Sequence, residues 1–395
     1  MKHGRHEQSN TAGIGRLADY IKGAAGKRAV VKIGGKSFVL RPFRLLLALL
    51  AVLVVVWVIG FVLSFGTDMR NVNVEFESGS MYSTVPAGDM AAMYNNRGVK
   101  LIDSRGKVTE TISEALSQPL VEAEGDYMLL ADLSGNHFAA GYKNGKQICR
   151  YNIDRDIISA KITSDGYAAV AADTDGYKGR VTVYNNRGSE LYSWNSGSGY
   201  ISDIAITDNG RYLAVAQLLT SNGAADTKIQ IIDTRRGEVI ATADRGSEIA
   251  AEIKFVDSNK LAVVTDSCIS AYDRKGNQLF DISLAGKRAS LYSLDSDDCI
   301  AVVTMDNRGN HVLEMYSYSG KLLGSYMAGS EIRAVAARDG YVIVVEQKGI
   351  VRVNLRGKQK AAVNVEHDIK SICCFDGGKR IIAVGSSLAE TLRVN

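Results

Sequence analysis

The stretch Tyr272-Asp-Arg-Lys-Gly276-Asn277 is one copy of a turn that occurs seven times from residue 99 onward. Each copy follows an apolar-alternating strand and leads through a short polar stretch to a glycine. A tight hairpin needs positive φ at that point, and glycine adopts it without a steric cost. The other copies are Asp103-Ser-Arg-Gly106-Lys107, Tyr142-Lys-Asn-Gly145-Lys146, Tyr184-Asn-Asn-Arg-Gly188, Asp233-Thr-Arg-Arg-Gly237-Glu238, Tyr316-Ser-Tyr-Ser-Gly320-Lys321 and Val353-Asn-Leu-Arg-Gly357-Lys358.

A period of roughly 40 residues with several short strands per copy is typical of β-propellers. We therefore predict an all-β fold, an eight-bladed β-propeller over residues 67–395. The eighth copy, Thr391-Leu-Arg-Val-Asn395, ends before its fourth strand, so we expect strand 72–76 to supply that edge and close the ring. A seven-bladed ring is the alternative, because residues 81–153 hold the least regular copies.

A long apolar segment precedes the repeats. Leu45 to Phe65 is uncharged, and about 20 such residues are needed for a helix to cross a bilayer. The segment is too long for a cleaved signal peptide, whose apolar part has about 7–15 residues. We predict a transmembrane helix over 44–66, after a basic cytoplasmic tail over 1–43.

The charge distribution predicts the orientation in the plasma membrane. Residues 1–66 carry ten Lys/Arg and two acidic residues, whereas the whole chain has a net charge of +4. The positive-inside rule places the N-terminus in the cytoplasm and the propeller outside, with the tail against anionic lipid headgroups. The remainder of the chain is mildly acidic, so the charge gives no reason to expect nucleic-acid binding.

The recurring turn resembles the repeat of quinoprotein-like, WD40-like and outer-membrane-assembly-type propellers. In quinoproteins a tryptophan four residues after the glycine docks neighbouring blades. That residue differs here, which weakens the case for a quinone cofactor, and we predict no cofactor. In this chain the positions four residues after the turn glycines hold, among others, Glu110, Tyr192, Ala241, Phe280 and Gly324.

The whole layout resembles an uncharacterised family of membrane-anchored propellers from clostridial Firmicutes. The resemblance rests on the tail motif Lys32-Ile-Gly-Gly-Lys-Ser-Phe-Val-Leu-Arg-Pro42, one predicted span and then the propeller. It implies an outer face that meets the cell wall, and it implies no known activity.

Sequence motifs for catalysis or metal binding are absent. The histidines are isolated, and no H-x-x-x-H, HExxH or nucleophile-elbow pattern occurs. Asp173-Thr-Asp175-Gly176 and Asp295-Ser-Asp-Asp298 faintly resemble calcium loops, but they lack the later glutamate and fit hairpin turns. We therefore predict no catalytic residues and no metal site.

Three connections between second and third strands are expected to be long loops on one rim of the ring. They are Asp173–Arg180, Leu218–Lys228 and Thr304–His311, and such loops can form a recognition surface or be tolerated insertions. The candidate binding residues on them are Tyr177, Lys178, Arg180, Asn222, Asp226, Lys228, Arg308 and His311.

These features favour a binding or scaffolding module at the cell surface, with a protein or a cell-wall polymer as partner. The alternative is a cell-envelope enzyme, a lyase or a quinoprotein-like dehydrogenase, with its site in the propeller funnel. A central funnel that is both conserved and charged would favour the enzyme.

Overall fold

The computed structural model describes residues 29–33, 36–40, 73–74 and 82–395, apart from 135–137, 222, 285–286, 288, 307 and 387. The chain divides into two compact units, Met1–Arg70 and Asn71–Asn395. In the first unit, β1 (Ala29–Ile33) pairs antiparallel with β2 (Lys36–Leu40). In the part of the chain that the structure describes, no helix has the length and apolarity to cross a membrane. The predicted span 44–66 lies outside those residues.

The second unit begins with β3 (Asn73–Val74) and forms eight four-stranded antiparallel sheets. The prediction of an eight-bladed propeller is confirmed, and the seven-bladed alternative is wrong. Blades 1 to 4 contain β4 (Ser83–Ala87), β5 (Met90–Asn95), β6 (Gly98–Asp103), β7 (Val108–Ser113); β8 (Pro119–Glu124), β9 (Tyr127–Asp132), β10 (Phe138–Lys143), β11 (Lys146–Asn152); β12 (Ile157–Ile162), β13 (Ala168–Ala172), β14 (Arg180–Tyr184), β15 (Glu190–Asn195); and β16 (Tyr200–Ile206), β17 (Tyr212–Ser221), β18 (Ala224–Asp233), β19 (Glu238–Gly246).

The remaining blades follow the same order, except that the eighth contains strands from both ends of the unit. Blades 5 to 8 contain β20 (Ala250–Asp257), β21 (Lys260–Thr265), β22 (Cys268–Asp273), β23 (Gln278–Ser283); β24 (Ala289–Ser293), β25 (Ile300–Met305), β26 (His311–Tyr316), β27 (Leu322–Met327); β28 (Ile332–Arg338), β29 (Tyr341–Glu346), β30 (Gly349–Asn354), β31 (Gln359–Asn364); and β32 (Ile369–Phe375), β33 (Arg380–Gly385), β34 (Ala389–Arg393) with β3. In blade 8, β3 pairs with β34 through Asn73↔Glu390 and Val74↔Ala389. A 3₁₀ turn, Asp376–Gly378, joins β32 to β33.

The first strands of neighbouring blades contact one another, so they lie nearest the axis of the ring. Because the strands alternate in direction, the connections lie on two opposite faces. We call the face with the recurring turns and the first-to-second-strand connections the turn face. The loop face carries the second-to-third-strand connections and the blade-to-blade connections.

The core lies between blades, on both sides of the second strands. Strand β21 shows this: Leu261, Ala262, Val263 and Val264 are fully buried. Leu261 and Val263 pack in a cluster with residues of blade 4, while Ala262 and Val264 pack with residues of blade 6. Strands covered on both faces consist of continuous apolar residues, and the sequence has this pattern here.

The recurring turn is held by the side chain of its first polar residue. Asp273 Oδ1 accepts hydrogen bonds from the backbone N–H groups of Lys275 and Asn277, at 2.8 and 2.9 Å. Gly276 has a φ of 82°, in the left-handed region. A register shift between Ala271 and Tyr272 marks the bulge that accompanies this hairpin type. The same side-chain contacts hold the turns at Asp103, Asn185, Ser317 and Asn354.

The turn glycines also dock the blades. Gly320 of blade 6 lies against Phe280 of blade 5, which is four residues after the turn glycine Gly276. A methyl group on Gly320 would lie 2.7 Å from Phe280 Cβ, which is too close for van der Waals contact. The same relation joins Gly145 to Glu110, Gly188 to Cys149, Gly237 to Tyr192 and Gly276 to Ala241. The docking position is therefore used although it holds no tryptophan.

We expect Gly320→Ala to destabilise the propeller more than Gly176→Ala. Both glycines have positive φ, at 81° and 79°, so both substitutions carry the left-handed penalty of about 1–2 kcal/mol. Only Gly320 adds a clash with Phe280, since nothing lies within 4 Å of a methyl group on Gly176. Overpacking should lower the free energy of unfolding of Gly320→Ala by about a further 1–3 kcal/mol, which urea unfolding can measure. Equal losses in the two variants would contradict the docking role.

Candidate functional site

The predicted rim residues Tyr177 and Lys178 lie in an irregular connection on the loop face, between β13 and β14. Tyr177 is 50% exposed. Lys178 Nζ donates a hydrogen bond of 3.1 Å to Tyr200 Oη of blade 4 and lies 4.6 Å from the centroid of that ring. The predicted loop thus contacts the next blade through a cation–π pair.

Tyr200 and Ile158 complete an exposed patch that the sequence analysis did not identify. Tyr200 is 61% exposed at the start of β16, and Ile158 is exposed at the start of β12. We call Ile158, Tyr177, Lys178 and Tyr200 the tyrosine patch. The available signal was a large apolar residue at the start of β12 and of β16, where each strand begins at the loop face.

Arg180 lies at the start of β14 and contacts its own blade. Its Nη2 donates a hydrogen bond of 2.7 Å to Ser193 Oγ and lies 3.8 Å from Glu190 Oε1. These partners hold the guanidinium against the outer strand β15, so Arg180 does not join the tyrosine patch.

The expected loop Leu218–Lys228 is wrong as a loop, because the structure has a β-hairpin there. β17 and β18 have ten residues each, and their pairing continues to Ser221↔Ala224. Asp226 pairs with Leu219 and Lys228 with Gln217. The extra residues lengthen two strands by continuing the backbone hydrogen bonds. Asn222 lies outside the described residues.

The expected loop Thr304–His311 is also wrong as a long loop. Met305 pairs with His311, and Asp306 Oδ1 accepts hydrogen bonds of 2.8 Å from the N–H groups of Arg308 and Asn310. This contact is the one that holds the recurring turn. Arg308 is exposed, while His311 Nδ1 accepts a 3.2 Å hydrogen bond from the backbone N–H of Ile332.

The seven described candidates lie in different kinds of element. Tyr177 and Lys178 lie together at blades 3 and 4, and the described others lie on a strand or in a tight turn of their own blade. Their role in binding stays a prediction.

A charged cavity lies on the axis, on the side of the turn face. It has a volume of about 390 Å³ and is lined by the first strands β8, β12, β16 and β20 and by the connection 294–299. Six carboxylates and two lysines face it: Glu122, Glu124, Asp208, Glu252, Asp295, Asp297, Lys161 and Lys254. The sequence analysis named none of these as site residues.

Lys161 and Asp203 connect four blades, blades 2 to 5, inside this wall. Lys161 Nζ donates a 2.9 Å hydrogen bond to Glu122 Oε1 of blade 2. Asp203 Oδ2 accepts a 2.9 Å hydrogen bond from the N–H of Ile253 in blade 5, and its Oδ1 accepts one of 3.3 Å from Ser159 Oγ. Buried charges are stable only with such partners.

Three carboxylates of the wall, Glu122, Asp203 and Glu252, hold their protons more tightly than usual. Burial raises the pKa of Glu122 and of Asp203, and Lys161 opposes both shifts. Burial raises the pKa of Glu252 to about 7, with the like charges of Asp203 and Asp295 adding to it and Lys161 opposing it. Burial lowers the pKa of Lys161, but the negative charges of Glu122, Asp203 and Glu252 have a larger effect in the opposite direction. The pKa of Lys161 is therefore raised.

The motif Asp295-Ser-Asp-Asp298 lies in the connection that reaches this cavity. Asp295 and Asp297 both line it. Among the described residues, no three histidine, cysteine or carboxylate side chains converge as a metal site would require.

We expect Glu252→Gln to stabilise the protein at pH 8 and to have little effect at pH 4. The folded state binds a proton at Glu252 more tightly than the unfolded state, so stability falls as the pH rises from 4.5 through about 7. The amide removes that penalty, and we expect a gain of about 1–3 kcal/mol in the free energy of unfolding at pH 8.

Glu190→Gln, on the outer strand β15, is the matched control and should change stability by less than about 0.5 kcal/mol at either pH. Urea unfolding at both pH values measures the difference. A Glu252→Gln effect that is independent of pH would contradict the assignment of the raised pKa.

These features define a closed eight-bladed β-propeller with a charged axial cavity and an exposed aromatic patch on the other face. The chain belongs to the Family of unknown function (DUF5711), whose model matches residues 68–394. No functionally curated protein matches it by sequence.

Solved structures similar to this chain are other propellers. BamB from Moraxella catarrhalis is 13% identical with a TM-score of 0.52, covering 82% of this chain and 100% of its own. The C-terminal WD40 domain of Sif2 is 15% identical with a TM-score of 0.59, and the match covers 82% of this chain and 99% of that domain. The propeller domain of Cps50 (Swd1) from Myceliophteria thermophila is 15% identical with a TM-score of 0.50, and the match covers 70% of this chain and 96% of that domain. At this identity the likeness shows the fold alone.

Proposed function

We propose that this chain is a membrane-anchored, extracytoplasmic propeller that binds or scaffolds a protein partner through the tyrosine patch. The observation that carries the proposal is the pair Tyr177 and Tyr200, at least half exposed on the loop face and joined by Lys178. Tyrosine is enriched where protein interfaces carry most of their binding energy.

The patch is prepared for binding by its contacts. Lys178 donates to Tyr200 Oη, and its backbone N–H donates a 2.8 Å hydrogen bond to the carbonyl of Ser196 in the blade-to-blade connection. Side chains and backbone that are ordered before association lose less entropy on binding. A rigid ring with a preordered aromatic patch suits a scaffold.

The sequence supports the location. The uncharged segment Leu45–Phe65 follows a basic tail, and the family match begins at residue 68, directly after it. The positive-inside rule then favours a cytoplasmic tail at anionic headgroups and an outer propeller. An odd number of cysteines, all free, agrees with the disulfide-poor surface of a clostridial single-membrane bacterium.

The partner contact can be tested with a photo-crosslinking amino acid placed at Tyr177 or Tyr200 of the full chain in native membranes. We expect the same protein adduct from both positions, and at least a several-fold loss of the Tyr177 adduct when Tyr200 is changed to alanine. Leu191 is the matched control, since it is equally exposed, at 50%, on the outer strand of the same blade. Equal adducts from Leu191, or none from the patch, would contradict the proposal.

The topology can be tested separately. Alkaline phosphatase is active only outside the cytoplasm, so a fusion after Asn395 should be active, and a β-galactosidase fusion at the same position should not. The same reporters fused after residue 40 should give the opposite pattern. An inactive phosphatase at Asn395 would overturn the orientation without affecting the patch.

A further inference from the structure

The axial cavity is the largest of three neighbouring cavities. Two further cavities of about 350 and 250 Å³ adjoin it on the sides of blades 1, 7 and 8. Asp295 lines all three of them. The three cavities are therefore neighbours at this carboxylate, and we call them together the axial channel.

Asp295 lies in the longest of the links between first and second strands. This link, Leu294–Cys299 in blade 6, has six residues, whereas the equivalent links have two residues in blades 1, 2, 5 and 7, four in blade 8 and five in blades 3 and 4. The carbonyl of Ser296, a buried residue, accepts a 2.9 Å hydrogen bond from Tyr318 Oη, and Asp295 Oδ2 accepts one of 2.9 Å from Ser293 Oγ. These contacts fix the fold of the connection.

The basic groups of the channel are already engaged. Lys161 is bound to Glu122. Lys254 Nζ donates a 3.1 Å hydrogen bond to the Leu294 carbonyl and lies 3.6 Å from Glu124 Oε2, on the other side of the channel. Glu252, Asp295 and Asp297 line the cavity without an ion pair to any described basic side chain. The six carboxylates that line the cavity therefore outnumber its two lysines, which leaves an excess of negative charge.

We propose that the axial channel binds an organic cation, an aliphatic chain that ends in an ammonium or guanidinium group. Glu252 and Asp295 would pair with the cationic group, and Asp297 would attract it at the mouth. This site is on the turn face and is independent of the tyrosine patch.

The lining favours this ligand over a metal ion. The oxygen donors of the described residues do not converge on one point, as a divalent cation requires. Apolar residues also line the cavity, namely Ile162, Ile206 and Phe255. An aliphatic stem can cover such a wall while its charged end reaches a carboxylate. A volume of about 390 Å³ lies in the range of small-ligand pockets.

The same cationic group can arrive on a free polyamine or on an arginine side chain of a protein segment. Calorimetry of the full chain in detergent with two probes separates these sources: spermidine, and a capped glycine peptide with one central arginine. Saturable binding of spermidine alone indicates a free amine. Saturable binding of the peptide indicates a protein segment.

Two variants test the residues. We expect Glu252→Gln and Asp295→Asn each to weaken binding of the active probe by about tenfold. Glu190→Gln should leave it unchanged, and so should Tyr177→Ala, which distinguishes this site from the proposed interface. Glu252→Gln removes a buried charge, so loss of folding does not explain a loss of binding.

The pH dependence gives a second readout. Glu252 must be ionised to bind the cation, and it is faced by Glu122 and Asp203, by Lys161, and by Asp295 from blade 6. Wild-type affinity should be about fivefold to tenfold weaker at pH 6 than at pH 8, and the difference should shrink in Glu252→Gln. The proposal fails if neither probe saturates, or if both variants bind as the wild type does.

Discussion

The ring depends on the close approach between the turn glycine of one blade and the outer strand of the preceding blade. At Gly320 the space for a side chain is already filled by Phe280, and the backbone there has a φ that favours glycine. Two independent constraints thus act on one residue. Because the contact is made by the backbone of one partner, the other partner can vary from Glu110 to Ala241 while the geometry is kept.

The same ring geometry produces the channel. First strands of neighbouring blades contact without a backbone ladder between them, so side chains must satisfy their inner edges. Asp203 accepts from the N–H of Ile253, and Ser371 Oγ accepts a 3.1 Å hydrogen bond from the N–H of Thr84. Polar groups are therefore placed on strands that surround a narrow axis, where burial changes their pKa. The charged cavity is a consequence of how the blades meet.

Local features of the fold could be predicted from the sequence, because the recurring glycine turn and the apolar second strands are visible within one repeat. The loops at 218–228 and 304–311 could not, since an insertion can extend a hairpin or form another tight turn as easily as an open loop. Asp306-Asn-Arg-Gly309-Asn310 even has the composition of the recurring turn, which was the available signal.

The candidate site could be predicted only in part for a related reason. Tyr177 and Lys178 were found from loop position, but Tyr200 belongs to the next blade and meets them only in the folded ring. Lys161 and Glu252 come from first strands 91 residues apart in sequence, and nothing local to either shows that they face one cavity. The available signal was a charged residue within a first strand that is otherwise rich in apolar residues.

Glu252 helps to decide whether the charged groups of the channel have a structural or a functional role. Asp203 serves the fold, since its oxygens accept backbone and hydroxyl hydrogen bonds between blades. Glu252 lines the same wall, yet its raised pKa means that its ionised form costs stability near neutral pH. A glutamine of similar volume would avoid that cost. A carboxylate with a strongly perturbed pKa, in a cavity and without an ion pair to any described basic side chain, is the pattern expected of a binding group.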